Sequence, residues 1–373
     1  MKNLENRFIE FDFIKLLAYA GVCIGHTYIN FFETIDNAKS AIWRFSQIEA
    51  VCVHIFFIIS GVFIAMSIET KEITFEESAK KLFSRLYPPT IFMFFVYGII
   101  AILKNNMQGI EVWWAQLFML GSNVNGLREP QNCFWFVIVF FWTNLFIRYF
   151  LIKYKIFSVC FSFPLFFLFA FSFLYSKYGS LGGHAFPLFS FGISLGFINS
   201  IVGMIFGVEI YYLSLLFKQH FKIKKTIIAK FFCLLIEIVI SLLIIYIISR
   251  KNLRMRFLIY PTLFILFFSF LIKYSCYETL LRKIEYGINK MMNYSFMFYL
   301  CHLLLIENQW ISSKYFFAKF FDFENCNRKI VYLSVLILCY VLSIIMQKLY
   351  NIFFFFCLKI KKIVLEDIGK EDL

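Results

Sequence analysis

The chain has 373 residues, of which 61% are hydrophobic, 22% aromatic and 16% charged. Soluble globular proteins have about 45–50% apolar and about 25% charged residues, so this composition excludes that class and predicts an all-α, polytopic membrane helix bundle. The formal net charge of +14 does not indicate nucleic-acid binding, because the basic residues are distributed between apolar segments as membrane topology requires.

Ten apolar segments have about the length of a membrane-crossing helix. Their connections are short, so we expect a single transmembrane domain over residues 1–373. The first segment has no small-residue cleavage site and is too long and too polar for the core of a signal peptide, so we expect a retained helix. We expect the segments at about 11–32, 48–68, 88–104, 133–151, 156–175, 194–217, 227–249, 257–274, 292–311 and 330–358.

Lysine and arginine are more frequent in the connections on one side of the predicted bundle. The positive-inside rule therefore predicts that both termini lie in the cytoplasm. The loop RKNLRMR at 250–256 falls on the outer side, against this trend, so either it binds an anionic lipid or saccharide headgroup or one segment has been miscounted. Trp113 and Trp114 indicate an interfacial segment within 105–132, and 176–193 could hold irregular backbone inside the bundle.

The positions of the cysteines bear on disulfide and metal chemistry, and the overall composition bears on the source organism. Most of the ten cysteines lie in apolar segments, where cysteine acts as a small hydrophobic residue, and they form no CxxC or Cys/His metal spacing. We therefore expect neither a disulfide framework nor a metal. The abundance of Lys, Ile, Phe and Asn favours an AT-rich bacterial genome, so we expect a multi-pass protein of the bacterial inner (cytoplasmic) membrane.

The first segment carries polar residues that need a reason to lie in a membrane. Each costs about 2.5–3.5 kcal/mol on insertion scales. Lys15 and His26 are eleven positions apart, which at about 100° per residue places them within about 20° of one helix face. Asp12 and Tyr19 lie within about 60° of the same line, so the helix has a polar stripe that faces protein or water. The alternative is an Asp12–Lys15 anchor at the membrane edge and a buried structural histidine.

The ninth segment has a second polar stripe. Ser295, Tyr299 and His302 are spaced i, i+4 and i+7, so they share one helix face that ends in a histidine. The sixth and seventh segments each contain a single carboxylate in apolar surroundings, Glu209 and Glu237, to which the sequence assigns no role.

Three further residues are candidates because of their position in apolar segments. His54, on the second segment, is predicted at a depth similar to that of His26 and has no strong partner in the sequence. Ser60 precedes Gly61 near mid-membrane, where small residues favour close helix packing. Trp135, at the outer start of the fourth segment, is most simply part of an aromatic belt.

A basic cluster precedes the third segment in the stretch KKLFSRLYPP at 80–89. Pro88 and Pro89 suit a helix start or a kink. Lys81 and Arg85 are either part of the topology signal or a site that binds the phosphates of a cytoplasmic nucleotide or coenzyme A, for which arginine offers a planar fork.

Taken in order, these stretches resemble acyltransferase family 3, a family of integral membrane acyltransferases. The resemblance covers nearly the whole chain. It rests on the occurrence of all these stretches in the same order rather than on any single motif. The matching stretches are the Lys15-x10-His26 spacing, HIFFIISGVFI at 54–64, RLYP at 85–88, FWF at 134–136 and NYSFMFYLCH at 293–302.

The resemblance implies transfer of an acyl group, usually acetyl, from cytoplasmic acyl-CoA to a hydroxyl of a cell-envelope saccharide. It makes His26 the catalytic histidine and Lys15 its partner basic residue. We expect Lys15 and Asp12 to order the donor end or to set the local electrostatic field. We expect His26 to act as a general base on the acceptor hydroxyl, with a transient acyl-histidine as the alternative route. The implied partners are acetyl-CoA, an envelope glycan or lipid-linked saccharide and membrane lipids, with no metal and no nucleic acid.

The resemblance also places Arg85 at the second arginine of a cytoplasmic Arg-x-x-Arg motif that is linked to the donor. Here the sequence departs from the family, because Leu82 stands at the first position and Lys81 is adjacent. A lysine supplies a point charge rather than a bidentate fork.

The main alternative function is a transporter or flippase for a lipid-linked saccharide or an acyl donor, since buried charges and a basic outer loop also suit a carrier. No internal repeat relates the two halves of the chain, which argues against it. A non-catalytic membrane scaffold is the other alternative. The sequence specifies neither the acceptor nor the oligomeric state.

Overall fold

The computed structural model shows an all-helical chain. Its described residues form helices with no β-strand, which confirms the predicted all-α fold. The residues that the structure describes are 8–31, 48–71, 73–103, 134–178, 194–221, 227–249, 253–273, 275, 277–306 and 327–371.

The helices are numbered in chain order. Helix α5 is a continuous helical stretch that includes two π-helical turns, and a 3₁₀ turn at Leu253–Leu258 precedes α8. The bounds are α1 Ile9–Phe31, α2 Ile48–Thr70, α3 Phe75–Leu103, α4 Phe134–Lys153, α5 Lys155–Lys177, α6 Leu195–His220, α7 Ile227–Ser249, α8 Ile259–Leu271, α9 Tyr277–Arg282, α10 Glu285–Met292, α11 Ser295–Ile306 and α12 Arg328–Glu371.

Each of the ten predicted apolar segments overlaps one of these helices. Seven helices of the described chain are long and apolar enough to cross a membrane, which makes the protein a polytopic bundle. Helix α11 and the apolar part of α7 are shorter, and α1 carries the polar stripe. The number of crossings and the cytoplasmic placement of both termini stay predictions.

Some predicted features lie outside the described residues. These are the interfacial segment with Trp113 and Trp114, the part of 176–193 after Tyr178, and positions 250–252 of the basic outer loop.

The predicted start of the third segment, at residue 88, was wrong. Helix α3 begins at Phe75, where Thr74 and Glu77 form a capping box: the Glu77 backbone nitrogen lies 3.3 Å from Thr74 Oγ1, and the Thr74 nitrogen 3.4 Å from Glu77 Oε2. Pro88 and Pro89 therefore lie inside the helix rather than at its start. Consequently the basic cluster at 80–85 belongs to the same helix as the apolar segment.

Helix α2 lies at the centre of the bundle and packs against α1, α4 and α6. Its backbone touches that of α6: an ideal Cβ on Gly61 would lie 1.9 Å from the Met204 carbonyl oxygen, and one on Gly207 would lie 1.9 Å from the Ile58 carbonyl oxygen. Such contact requires small residues, because lipid supplies no hydrophobic force that brings helices together. The close packing predicted at Gly61 is confirmed.

Helices α5, α7 and α12 form the outer layer. Their exposed side chains are largely apolar, as a lipid-facing surface requires, and include Phe169, Val239 and Leu333. The inner helices α1, α2, α4, α6 and α11 therefore hold the polar stripes away from lipid.

We predict that Gly61→Ala destabilises the protein, because the added methyl group meets a backbone carbonyl that cannot move independently of α6. The expected loss is about 1–3 kcal/mol, measured as a lower melting temperature in detergent. Gly287→Ala is the matched control, because a Cβ at Gly287 has no atom within 4 Å. Equal melting temperatures for the two variants would contradict the close contact.

Candidate active site

A cavity of about 470 Å³ opens between α1, α2, α3, α4 and the start of α11. The charged lining residues come from the N-terminal parts of α1 and α3, the C-terminal part of α4 and the residue that follows α2, so they lie at one end of the bundle. The predicted topology places that end in the cytoplasm. No carboxylate is among the described residues that line the cavity, whereas the cations there are Lys15, Lys71, Lys81, Arg85 and Arg148.

Arg148 is held in place by neutral groups. Its Nε donates to Asn144 Oδ1 at 2.7 Å, and its Nη1 donates to Ser78 Oγ at 2.7 Å and to Ser67 Oγ at 3.2 Å. None of the ion pairs found among the described residues involves this guanidinium, so hydrogen bonds fix its orientation while its charge is retained.

From the sequence, Arg148 counts only among the basic residues that set the predicted topology. The polar pair Asn144 and Arg148, four residues apart in an apolar helix, is the pattern that would have identified it.

The predicted residues of the donor end meet at this cavity. Lys15 lies 3.6 Å from Asp12 Oδ1, and its ammonium group lies 4.1 Å from the centroid of the Phe63 ring. Lys81 and Arg85 line the cavity from α3. The Asp12–Lys15 ion pair thus forms, and the lysine also contributes positive charge to the cavity.

The polar stripe of α1 faces the polar stripe of α11. The ring centroids of His26 and His302 are 5.3 Å apart, and Tyr19 lies 6.3 Å from Tyr299. His26 Nε2 also lies 3.7 Å from Glu49 Oε2 on α2. The structure therefore brings together two histidines that are far apart in the sequence.

His302 is oriented by its own helix. Its Nδ1 lies within hydrogen-bond distance of the Tyr299 carbonyl oxygen, which can only accept, so Nδ1 carries the proton. The neutral ring then has its lone pair on Nε2, which is buried and has no hydrogen-bond partner among the described residues. This nitrogen can accept a hydrogen bond from a hydroxyl group.

The cavity and the histidine pair are separate in this conformation. On α1 the lining includes Lys15 and Tyr19 but not His26. Seven residues of helix separate Tyr19 from His26, which is about 10 Å along the axis. Aromatic side chains lie between them, since Phe136 and Tyr299 are in ring contact at 5.0 Å and Tyr299 lies 5.5 Å from His302.

A family model described as an acyltransferase domain matches residues 8–348. The chain belongs to acyltransferase family 3. The match covers nearly the whole chain and favours an acyl-transfer enzyme over a transporter. Comparison with curated proteins and with solved structures gave no match.

Ser60 and Ser295 of this acyltransferase line the cationic cavity, whereas two other predicted residues do not. His54 is fully buried, and its Nδ1 lies 2.7 Å from the Tyr260 hydroxyl, a partner that the sequence did not reveal. Trp135 packs against Phe136 at the start of α4.

The described part of the chain contains no group of three or more His, Cys, Asp or Glu residues that could hold a metal ion. The buried Glu237 accepts a hydrogen bond from Ser269 Oγ at 3.1 Å.

We predict that Tyr260→Phe lowers stability without lowering activity. The change removes the hydroxyl that is bonded to buried His54, and such a loss costs about 1–3 kcal/mol. The melting temperature in detergent should fall, while turnover of labelled acetyl-CoA per folded molecule stays unchanged. Tyr286→Phe is the control, because Tyr286 is 82% exposed. Lost turnover at an unchanged melting temperature would instead connect His54 to catalysis.

Proposed function

We propose that the protein is an O-acetyltransferase that moves an acetyl group from cytoplasmic acetyl-CoA to a hydroxyl of a cell-envelope saccharide. The acceptor is a glycan or a lipid-linked saccharide, and the enzyme works in the inner membrane of a bacterium. The observation that carries the proposal is the arrangement along α1: a cationic cavity at one end and a histidine pair toward the other.

The cavity suits the phosphates of coenzyme A. Lys81 and Arg85 are exposed at its mouth and meet the donor first, and Arg148 lies further in with its guanidinium already oriented. Hydrogen bonds between charged groups are about twice as strong as neutral ones, and a fixed guanidinium loses little entropy when it binds phosphate. Lys15, paired with Asp12, lines the cavity together with Tyr19 and would support the donor there.

The chemistry takes place at His26. The neutral imidazole takes the proton from the acceptor hydroxyl as that oxygen attacks the thioester carbonyl. A carbon–oxygen bond forms, the carbon–sulfur bond breaks, and the departing thiolate receives the proton. Nε2 of His302 accepts a hydrogen bond that orients the same hydroxyl. In the alternative acyl-histidine route, a nitrogen of His26 attacks the thioester first.

Transfer requires a continuous route from the cavity to His26. Tyr19, Phe136 and Tyr299 occupy the intervening space, so their side chains must turn aside when the thioester arm enters. We infer that donor binding and the opening of this route occur together, which would keep water away from the thioester until the acceptor is present.

We predict that Arg148→Lys and Lys81→Ala weaken donor binding. Arg148→Lys keeps the charge but loses the oriented planar fork, and Lys81→Ala loses a charge, so each variant should raise the KM for acetyl-CoA about tenfold with little change in kcat. The assay follows labelled acetyl-CoA in membrane vesicles from the producing cells. Lys80→Ala is the matched control, because Lys80 has the same charge one position away but does not line the cavity. Equal KM values for Lys80→Ala and Lys81→Ala would count against the donor site.

We predict that His26→Ala reduces acetyl transfer by about 100-fold or more, since a positioned general base contributes rate factors of that order. Mass spectrometry of surface glycans from cells that produce the variant should show loss of the acetyl increment. His220→Ala, which changes an exposed histidine at the end of α6, should leave the increment intact. Undiminished acetylation in the His26 variant would refute both versions of the mechanism.

A further inference from the structure

Glu49 is a carboxylate next to the proposed base that the sequence analysis did not single out. It lies in the first turn of α2, and its Oε2 is 3.7 Å from His26 Nε2. The side chain of Glu49 is 30% exposed and that of His26 is 20% exposed, so the pair is partly shielded from solvent. A carboxylate at this distance interacts electrostatically with an imidazole. The attraction becomes stronger when the imidazole is protonated and carries a positive charge.

Close packing of α1 on α2 fixes the position of this pair. An ideal Cβ on Gly21 would lie 2.5 Å from Cys52 Sγ, so the two helices are in direct contact there. Gly21 is five residues before His26, and Cys52 is three residues after Glu49. The helix contact therefore lies within about one and a half turns of both side chains.

The groups around the His26 ring come from three elements. Glu49 contacts it from α2, and His302 lies beside it on α11 at 5.3 Å between ring centroids. Arg256, in the 3₁₀ turn before α8, is buried and interacts electrostatically with Glu49. The carboxylate thus lies in the field of a buried cation, which favours its ionised form.

We propose that Glu49 is a positioning residue for His26: its carboxylate holds the imidazole in place and stabilises the imidazolium that forms when His26 takes the proton of the acceptor. The inference rests on the proposed role of His26 as the base. It also gives the buried Arg256 of the basic outer loop a role, which is to keep Glu49 charged. Carboxylate–histidine pairs of this kind serve general-base catalysis in unrelated folds.

The test uses the full-length protein in membrane vesicles from the producing cells, with labelled acetyl-CoA as the probe. Glu49→Gln should lower kcat about tenfold or more and leave the KM for acetyl-CoA unchanged. Glu49→Asp, which keeps the charge, should retain more kcat than Glu49→Gln. Glu76→Gln is the control, since it removes a carboxylate from an exposed position on α3. Rates are compared per folded molecule.

The pH–rate profile separates positioning from a structural role. Without the carboxylate, the imidazolium of His26 is less stable, so the acid limb of the Glu49→Gln profile should move to lower pH. A variant that only folds less well would lose amplitude without a shift. In the His26→Ala background, Glu49→Gln should cause no further loss of the residual rate, because the two residues act as a unit.

Each outcome bears on one proposal or on both. If Glu49→Gln has wild-type kcat while His26→Ala is inactive, the positioning role is refuted and the proposed function stands. If the acid limb does not move, or if Glu49→Asp and Glu49→Gln lose kcat equally, the positioning role is also refuted. If His26→Ala remains active, the proposed function itself fails.

Discussion

The direct contact of α2 with its neighbours is the constraint on which the rest of the structure depends. At Gly61 and Gly207 the backbones of α2 and α6 touch, and at Gly21 α1 reaches the side chain of Cys52. In a membrane this packing holds helices together, because lipid is as apolar as the side chains that it would replace. Helix α2 carries Glu49 at one end and lines the cationic cavity at the other, so its placement positions both parts of the site.

The distribution of charge follows from this packing. Arg148 has hydroxyl and amide partners rather than a carboxylate, and the described lining of the cavity has no acidic group. A partly buried cation without a carboxylate partner is suited to binding an anion, which supports the proposed donor site. Near the histidines a carboxylate is present: Glu49 lies 3.7 Å from His26 and interacts electrostatically with Arg256, an arrangement that suits the proposed role of His26 as a base.

Several parts of the site could be predicted from helical periodicity, and others could not. The eleven-residue spacing of Lys15 and His26 and the i, i+4, i+7 spacing of Ser295, Tyr299 and His302 placed each set on one face. That His302 lies beside His26, whereas His54 pairs with Tyr260, depends on which helices are neighbours. The start of α3 was missed because two prolines outweighed the capping box at Thr74 and Glu77.

The sequence by itself determined the all-helical membrane fold, the approximate helix positions and the polar face of each helix. These follow from composition and from the 3.6-residue period, which are properties of one segment at a time. Only the tertiary structure decided that Arg148 joins the cationic cavity, that Glu49 lies beside His26 and that aromatic side chains separate the two ends. Such contacts join residues that are distant in the chain. They depend on how the helix surfaces pack against each other, and no local sequence pattern predicts that packing.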